Sequence, residues 1–161
     1  MGRYFEKVSF NEFAKSYGNN KELYDNYLLP KRATVHSAGY DFYAVDGVTI
    51  KPGEVYKVQT GCKACFEADE VLMLYVRSSI GIKRNVRMCN QVGIVDADYY
   101  NNPDNEGHIC VVLKNEGDKD FVLEKGEAFA QGIFMKYLLT DDDNTISKRT
   151  GGIGSTNKKE G

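Results

Sequence analysis

The sequence predicts an all-β fold, and three observations support this prediction. Turn-forming residues recur about every 8–12 positions from residue 31 onward. The segments between these turns are short and apolar, with the length of strands. No predicted strand is followed by the glycine pattern of a Rossmann or P-loop nucleotide site. A sandwich, a jelly roll and a closed barrel all fit this pattern.

The predicted strands alternate with polar turns. They lie on both sides of a turn within 45–58, at 71–76, at 109–113, at 121–123 and at 129–139. The run at 71–76 is apolar without interruption, and we therefore expect this strand to be buried on both faces.

One helical pattern precedes the strands, within residues 5–29, and no other part of the chain looks helical. Apolar residues recur there at helical spacing, and Ser9 with Glu12 has the form of a capping box. The Gly-Asn-Asn sequence at 18–20 breaks the pattern, and a second short helical turn is expected after it.

The chain of 161 residues is long enough for one main domain. We expect an accessory arm at 1–32, a β-barrel domain at 33–145 and a flexible, Gly-rich tail at 146–161. Such a polar tail cannot pack alone, and it either has no role or becomes ordered over a ligand.

Charge and composition exclude several classes of function. The net charge of −2 argues against a general nucleic-acid binder but allows a small anionic ligand. No segment has the apolar length of a membrane helix or a signal peptide, so we expect a cytoplasmic protein without a membrane partner. Reduced cysteines are then the default, and the CxxC sequence at 62–65 reads as a strand rather than a redox or metal motif.

Four polar or Gly-rich patches together indicate phosphate chemistry. They are residues 38–42, 77–81, 90–99 and the tail. Arg77 and two adjacent serine hydroxyls would make an anion cradle, and Gly-rich backbone allows close approach to phosphate oxygens. Asp96, which follows two apolar residues, can be partly desolvated and act as a general base for water.

The order and the residue sequences of five segments resemble the five motifs of the trimeric dUTPase family. The segments are 38–44, 76–81, 92–99, 125–131 and 149–156. The resemblance therefore spans most of the chain but leaves the N-terminal arm uncovered. It implies a jelly-roll-like distorted barrel and a homotrimer in which each active site draws on three chains.

The resemblance also implies an activity. The family hydrolyses dUTP to dUMP and pyrophosphate with the help of Mg²⁺, which limits uracil incorporation into DNA and supplies dUMP for dTMP synthesis. Asp96 would deprotonate the water that attacks the α-phosphorus. Tyr99 would stack under the deoxyribose and exclude a ribose hydroxyl, and Asn90 would read the uracil edge together with the backbone of the same hairpin.

The implied substrate-binding residues are drawn from several motifs. They are Arg77, Ser78, Ser79, Asn90, Gly93, Ile94, Val95, Tyr99, Gln131, Arg149, Ile153, Gly154, Ser155 and Thr156. Asp41 and Gln131 would act on a hydrated Mg²⁺ through water, since the metal itself is held mainly by the three phosphates.

Two departures from the family pattern leave questions open. Ile153 stands where the family usually has a Phe that stacks on uracil, and His108 and Tyr100 are candidates to replace that ring. The tail cation of the family falls on either Lys148 or Arg149. We expect Arg149, because a planar guanidinium suits a triphosphate better than an ammonium.

An insertion at 101–106 lengthens the hairpin after the third motif. We expect the returning strand at 108–110 to finish the uracil pocket. Two alternatives to a dUTPase remain: a dCTP deaminase-related enzyme, which would need a pocket acid that the hairpin lacks, and a regulatory protein that senses nucleotides and binds a protein partner.

Overall fold

The computed structural model describes residues 2–149, 151 and 152, and strands dominate them. The strands are β1 Tyr4–Lys7, β2 Lys31–Arg32, β3 Tyr40–Tyr43, β4 Val48–Ile50, β5 Val55–Gln59, β6 Cys62–Cys65, β7 Glu70–Val76, β8 Val86–Met88, β9 Gly93–Asp96, β10 Cys110–Asn115, β11 Phe121–Leu123 and β12 Ala128–Lys136. The helices are α1 Phe10–Tyr17, α2 Lys21–Asn26 and α3 Ser78–Arg84, with a 3₁₀ turn at Ala97–Tyr99. The all-β prediction is confirmed.

The strands form antiparallel sheets around one core. The largest sheet has the order β2-β3-β12-β7-β9, a second has the order β5-β10-β8, and β11-β4 and β1-β6 are two-stranded. Strand β12 lies at the centre of the largest sheet, between β3 and β7. This order puts β9 on one side of β7 and β12 on the other.

The expected burial of strand β7 on both faces is wrong. Leu72 and Leu74 are 0% and 2% exposed, whereas Met73 and Tyr75 on the opposite face are only half-buried. Antiparallel sheets commonly pack one face on the core and leave the other less covered. The apolar run in the sequence carries no information about which face is covered.

Most of the main core comes from residues that alternate along the strands of the facing sheets. Phe42, Ile50, Leu72, Leu113 and Phe129 are each no more than 1% exposed and belong to one cluster. Burying a side chain of this size contributes roughly 1.5–3 kcal/mol. The core therefore fixes the positions of β7 and β9, and with them the positions of the polar residues at the ends of these strands.

The arm begins as a strand, so the helical prediction for residues 5–7 is wrong. Strand β1 pairs with β6, placing Phe5 opposite Ala64. The free edge of β6 offers backbone partners that outweigh the helical spacing of the arm. Half of the predicted capping box is confirmed, because the Ser9 hydroxyl accepts a hydrogen bond from the Glu12 backbone N–H at 3.2 Å. The reciprocal half is wrong, because the Ser9 backbone N–H donates to Glu106 and not to Glu12.

A second cluster of buried side chains ties the arm to the main domain. It contains Val8, Phe13, Leu23, Tyr27 and Val45. The rings of Phe13 and Tyr27 stack with centroids 5.5 Å apart, and the Tyr27 hydroxyl donates to the Gly61 carbonyl at 2.5 Å. The arm is therefore packed on the domain through apolar contacts.

Helix α3 was not expected from the sequence. It begins directly after Arg77, within a segment that looks like a polar patch, and Ile80 is its buried residue. Seven residues with one buried side chain do not generate a recognisable helical period. The two serines of that patch therefore lie in the first turn of a helix.

The CxxC segment is strand β6, as predicted. Burial raises the pKa of the Cys62 thiol to about 12, and all four cysteines are free. None of the helices in the described part of the chain is long and apolar enough to cross a membrane.

Candidate active site

A cavity of about 270 Å³ opens beside strand β9, and we call it the hairpin pocket. Its lining residues are Leu74, Asn90, Gly93, Ile94, Val95, Asp96, Tyr99, Ile109, Cys110 and Arg149. The pocket brings together seven of the residues singled out in the sequence, from Asn90 in the hairpin to Arg149 in the tail. Ile109 and Cys110 also line it, as expected for the returning strand.

Strand pairing sets the shape of this pocket. Gly93 lies opposite Leu74 in the β7–β9 ladder, and a Cβ atom on Gly93 would be 3.0 Å from the Leu74 Cβ. The side chains of β9 alternate, so Val95 is buried while Ile94 and Asp96 point outward. Only glycine therefore lets the base of the pocket lie this close to β7.

Asp96 is accessible to water. Its side chain is 51% exposed, so the apolar neighbours do not desolvate it in the single chain. The strand alternation explains this, because Val95 points to the core and cannot cover the carboxylate on the other face. An accessible carboxylate is suited to contact a water molecule, which a general base requires.

Tyr99 is half-buried and its ring is held by hydrogen bonds. Its hydroxyl donates to the His108 carbonyl at 3.0 Å and accepts from the Asn105 side-chain amide at 2.8 Å. Burial raises the pKa of the Tyr99 hydroxyl, so it stays neutral. The ring therefore presents one fixed face to the pocket.

The start of the tail lies over the same pocket. The Arg149 guanidinium donates to Asp98 at 2.8 Å and to Asp96 at 2.5 Å, and it lies 5.8 Å from the centroid of the Tyr99 ring. The hydrogen bond to Asp98 raises the pKa of Arg149. Further along, the Gly152 N–H donates to the Asp104 carboxylate at 3.1 Å.

A second cavity, of about 500 Å³, is the arginine groove. Its lining residues are Ala33, Ser37, Ala38, Gly39, Asp41, Arg77, Ser78, Ser79, Gln131 and Ile133. Arg77 approaches Asp41 with an Nε–Oδ1 distance of 3.3 Å, and both serines are exposed.

Close packing defines one wall of the arginine groove. Gln131 lies opposite Asp41 in the β3–β12 ladder. A Cβ atom on Gly39 would be 2.5 Å from the Gln131 Oε1. The glycine of the first motif therefore makes room for this amide. The groove thus contains one guanidinium, three hydroxyls, a carboxylate and an amide.

The hairpin pocket and the arginine groove have no lining residue in common in the described part of the chain. Strand β7 explains the separation, because β9 carries the first site on one side and β12 carries the second on the other. One chain therefore contains both halves of the site expected from the sequence but does not bring them together.

The dUTPase family model matches residues 25–157. A Lactococcus lactis protein named deoxyuridine 5'-triphosphate nucleotidohydrolase is 50% identical over 130 residues, covering 80% of this chain and 87% of that protein. This chain belongs to the dUTPase family. The family resemblance seen in the sequence is thereby confirmed, and the match leaves helix α1 of the arm outside it.

Solved dUTPase structures have the same fold. The dUTPase from Streptococcus mutans superposes with a TM-score of 0.70 at 41% identity, covering 85% of this chain and 98% of that one. The dUTPase from phage phi11 of S. aureus gives a TM-score of 0.68 at 16% identity, covering 91% and 98% of the two chains, and shows the shared fold alone. The jelly-roll-like barrel expected for a dUTPase agrees with these likenesses.

Two residues considered as the ring that covers uracil in this dUTPase face the arm instead. His108 is 1% exposed and hydrogen-bonds Gly61 and Glu12. The Tyr100 hydroxyl donates to the Glu6 carboxylate of strand β1. Neither residue lines the hairpin pocket. Ile153, Gly154, Ser155 and Thr156 lie outside the described residues.

The sequence did not single out Asp98, Asp104 or Asn105 as site residues, although each contacts Tyr99 or the tail. The signal for Asp104 and Asn105 was present in the polar insertion at 101–106. That segment looks like an exposed hairpin tip, whereas Asn102 in it is 5% exposed. Its amide bonds to Tyr99 and Asn105 turn the insertion into a support for the pocket.

Proposed function

We propose that this chain hydrolyses dUTP to dUMP and pyrophosphate. The observation that carries the proposal is the hairpin pocket, which places Asn90, Asp96 and Tyr99 around one cavity. The names of its relatives, which reach 50% identity, support the same activity. The reaction would keep dUTP from being used in DNA synthesis and would supply dUMP for dTMP synthesis.

Asp96 acts as the general base in this proposal. Its carboxylate accepts a proton from a water molecule, and the water oxygen forms a bond to the α-phosphorus. The bond from that phosphorus to the bridging oxygen breaks, and pyrophosphate leaves with the electron pair. Asn90 reads the uracil edge with Gly93, Ile94 and Val95, while the Tyr99 ring lies against the deoxyribose.

Arg77, Ser78, Ser79 and Gln131 contact the triphosphate, joined by Arg149 from the tail. In the free chain Arg149 is paired with Asp96 and Asp98. A triphosphate carries more charge than either carboxylate and offers the guanidinium bidentate contacts. Substrate binding therefore draws Arg149 away from Asp96 and frees the base for water. The remaining tail residues, Ile153, Gly154, Ser155 and Thr156, cover the bound nucleotide.

The complete site requires more than one copy of the chain. Because the hairpin pocket and the arginine groove are separate, the groove of one chain completes the pocket of another in a homotrimer. Two consecutive apolar side chains after strand β12, Leu138 and Leu139, are 95% and 67% exposed and are available for such contacts. Heterologous contacts that close after three copies give threefold symmetry.

Mg²⁺ is the cofactor that these residues fit best. Within residues 2–149, 151 and 152, no group of three or more His, Cys, Asp and Glu side chains is arranged to hold an ion. Mg²⁺ keeps several waters and is usually bound by substrate phosphates and few protein oxygens, which suits the sparse donors Asp41 and Gln131. When bound, the ion would neutralise phosphate charge, and these two side chains would contact its waters.

We expect the enzyme to act in a reducing compartment, the cytoplasm. All four of its cysteines are free, including the exposed Cys89. Exposed free thiols are usual in reducing compartments and uncommon in secreted proteins, where disulfides form.

The activity is tested by incubating the chain with dUTP, dCTP, UTP and dTTP in the presence of Mg²⁺ and identifying the products. dUTP should yield dUMP and pyrophosphate. Cytosine presents a donor where uracil presents an acceptor, and such buried mismatches reduce kcat/KM by about 10⁴-fold in favourable cases. dTTP should fail because its methyl group meets the tight hairpin. Release of ammonia from dCTP would indicate a deaminase instead.

A further inference from the structure

The arm contacts the segment that follows Tyr99, and the most buried of these contacts joins Glu12 to His108. We call residues 100–108 the Tyr99 loop. Glu12 belongs to helix α1 and is 7% exposed, while His108 ends the loop and is 1% exposed. The Glu12 Oε1 lies 3.2 Å from the His108 Nδ1. This buried hydrogen bond therefore couples the position of the arm to the position of the Tyr99 loop.

The hydrogen bonds of His108 determine its tautomer. The Gly61 backbone N–H donates to Nε2 at 2.9 Å, so the ring proton resides on Nδ1 and is donated to Glu12. Burial lowers the pKa of His108, which keeps the ring neutral. The second oxygen of Glu12 accepts from Lys15 at 2.5 Å. Without Glu12, the buried Nδ1–H would lack an acceptor, and leaving a buried donor unpaired is unfavourable.

His108 is linked directly to Tyr99. Its carbonyl accepts the Tyr99 hydroxyl proton at 3.0 Å, and its N–H donates to the Asn105 carbonyl at 2.9 Å. Asn105 in turn donates to the Tyr99 hydroxyl at 2.8 Å. Both hydrogen bonds of that hydroxyl therefore come from the part of the loop whose end is held by Glu12.

The Tyr99 loop has little freedom to absorb a shift of His108. A Cβ atom on Gly107 would be 2.4 Å from the Tyr99 carbonyl oxygen, so the two ends of the loop are in close contact. Glu106 accepts a hydrogen bond from the Ser9 backbone N–H at 3.0 Å and is also bonded by the Ser9 hydroxyl. A displacement at the arm is therefore transmitted to the Tyr99 ring.

We propose that Glu12 is a positioning residue for sugar selection: through His108 it sets the place of the Tyr99 ring and so the exclusion of a ribose 2′-hydroxyl. The proposal rests on the proposed function, in which Tyr99 lies against the deoxyribose. The family match begins at residue 25. Glu12 thus belongs to the part of the chain added outside that match.

The test compares Glu12→Met with Glu12→Gln. Methionine fills the same space but cannot accept from Nδ1–H, whereas glutamine retains an acceptor oxygen. The measured quantity is kcat/KM for dUTP divided by kcat/KM for UTP. It should fall about tenfold in Glu12→Met, as expected for the loss of one buried hydrogen bond. It should remain near the wild-type value in Glu12→Gln, and kcat for dUTP should change little in both.

Lys15→Met is the matched control. Lys15 contacts only the outer oxygen of Glu12 among the contacts described, and its side chain is 62% exposed. This substitution removes the same ion pair but leaves the Glu12–His108 hydrogen bond in place, so the ratio should not change. A fall in the ratio equal to that of Glu12→Met would overturn the proposal, because it would assign the effect to charge alone.

A folded Glu12→Met enzyme with the wild-type ratio would also overturn the proposal. If that variant does not fold, Glu12→Asp replaces it, because the shorter carboxylate keeps the charge but cannot span the present 3.2 Å contact to the His108 Nδ1. An unchanged ratio in Glu12→Asp is then the contradicting result. If the wild type does not hydrolyse dUTP, the proposed function fails instead, and the same variants are compared by calorimetric binding of dUTP and UTP.

Discussion

Asp96 shows how a residue can be ready for catalysis and occupied at the same time. Its carboxylate is 51% exposed, yet it holds an ion pair with Arg149. Asp98 shares that guanidinium and is 57% exposed. The two carboxylates therefore have similar exposure and share one ion-pair partner. They differ in position, because Asp96 lines the hairpin pocket and Asp98 does not. Position relative to the substrate, not burial, distinguishes the proposed base.

Replacement of Asp96 by asparagine tests this assignment at the residue scale. Asn keeps the size of the side chain but cannot accept the proton of the water, so kcat should fall by about 10²–10⁴-fold. Binding of dUTP should change little, because the groups that hold base, sugar and phosphates remain. Steady-state kinetics and calorimetric titration measure the two quantities.

Asp98→Asn is the control for that experiment. The exposed Asp98 side chain contributes little to packing, so both the melting temperature and kcat should stay near the wild-type values. An inactive Asp98→Asn enzyme beside an active Asp96→Asn enzyme would show that the base is the other carboxylate.

At the scale of elements, the start of the tail contacts the proposed base and the Tyr99 ring through Arg149. Arg149 is half-buried against Tyr99 and the two carboxylates, whereas Lys148 is exposed. This difference supports Arg149 over Lys148 as the tail cation, which stays a prediction. The backbone at Gly152 continues along the insertion. The described start of the tail therefore follows the pocket of its own chain.

Truncation before Lys148 should leave the fold intact, because the removed residues contribute no side chain to the described core. It should lower kcat by about 10²-fold or more, since preorganised donors to the phosphates are lost. Arg149→Ala should reproduce much of this loss and Lys148→Ala little. Circular dichroism checks the fold, and the reverse ranking of the two single variants would move the cation to Lys148.

At the scale of the whole molecule, the separation of the two cavities has the largest consequence. The hairpin pocket and the arginine groove lie on opposite sides of β7. If one chain formed a complete site, these two sets of residues would have to meet around one substrate. In a site shared between chains, the hairpin pocket of one copy would meet the arginine groove of another, and neither sheet would have to move.

Mixing two inactive variants tests the shared site. Asp96→Asn has an intact arginine groove, and Arg77→Ala has an intact hairpin pocket. Co-refolded trimers should therefore recover about a quarter of the wild-type activity, the fraction of sites that combine the two intact halves at random. Light scattering should report three times the mass of one chain. Mixed trimers without recovered activity would place the whole site within a single chain.

Local sequence was enough to predict strands β4 to β7 and β10 to β12, the turns between them and the arm helix, whereas strands β2, β3 and β8 were not predicted. These features depend on neighbouring residues, through side-chain alternation and capping. The family resemblance singled out Asn90, Asp96 and Tyr99, which lie within one continuous segment and line the hairpin pocket. The family itself followed from the order of the motifs along the chain.

Only the tertiary structure decided what depends on distant partners. The edge of β6 made a strand of residues 5–7, and packing on one face left half of β7 uncovered. His108 turned away from the pocket because Glu12, 96 positions earlier, offered a buried acceptor. Arg149 met Asp96 across 53 positions. Such contacts join residues whose separation along the chain carries no signal of their proximity, so their geometry emerges only when the sheets and the arm have packed.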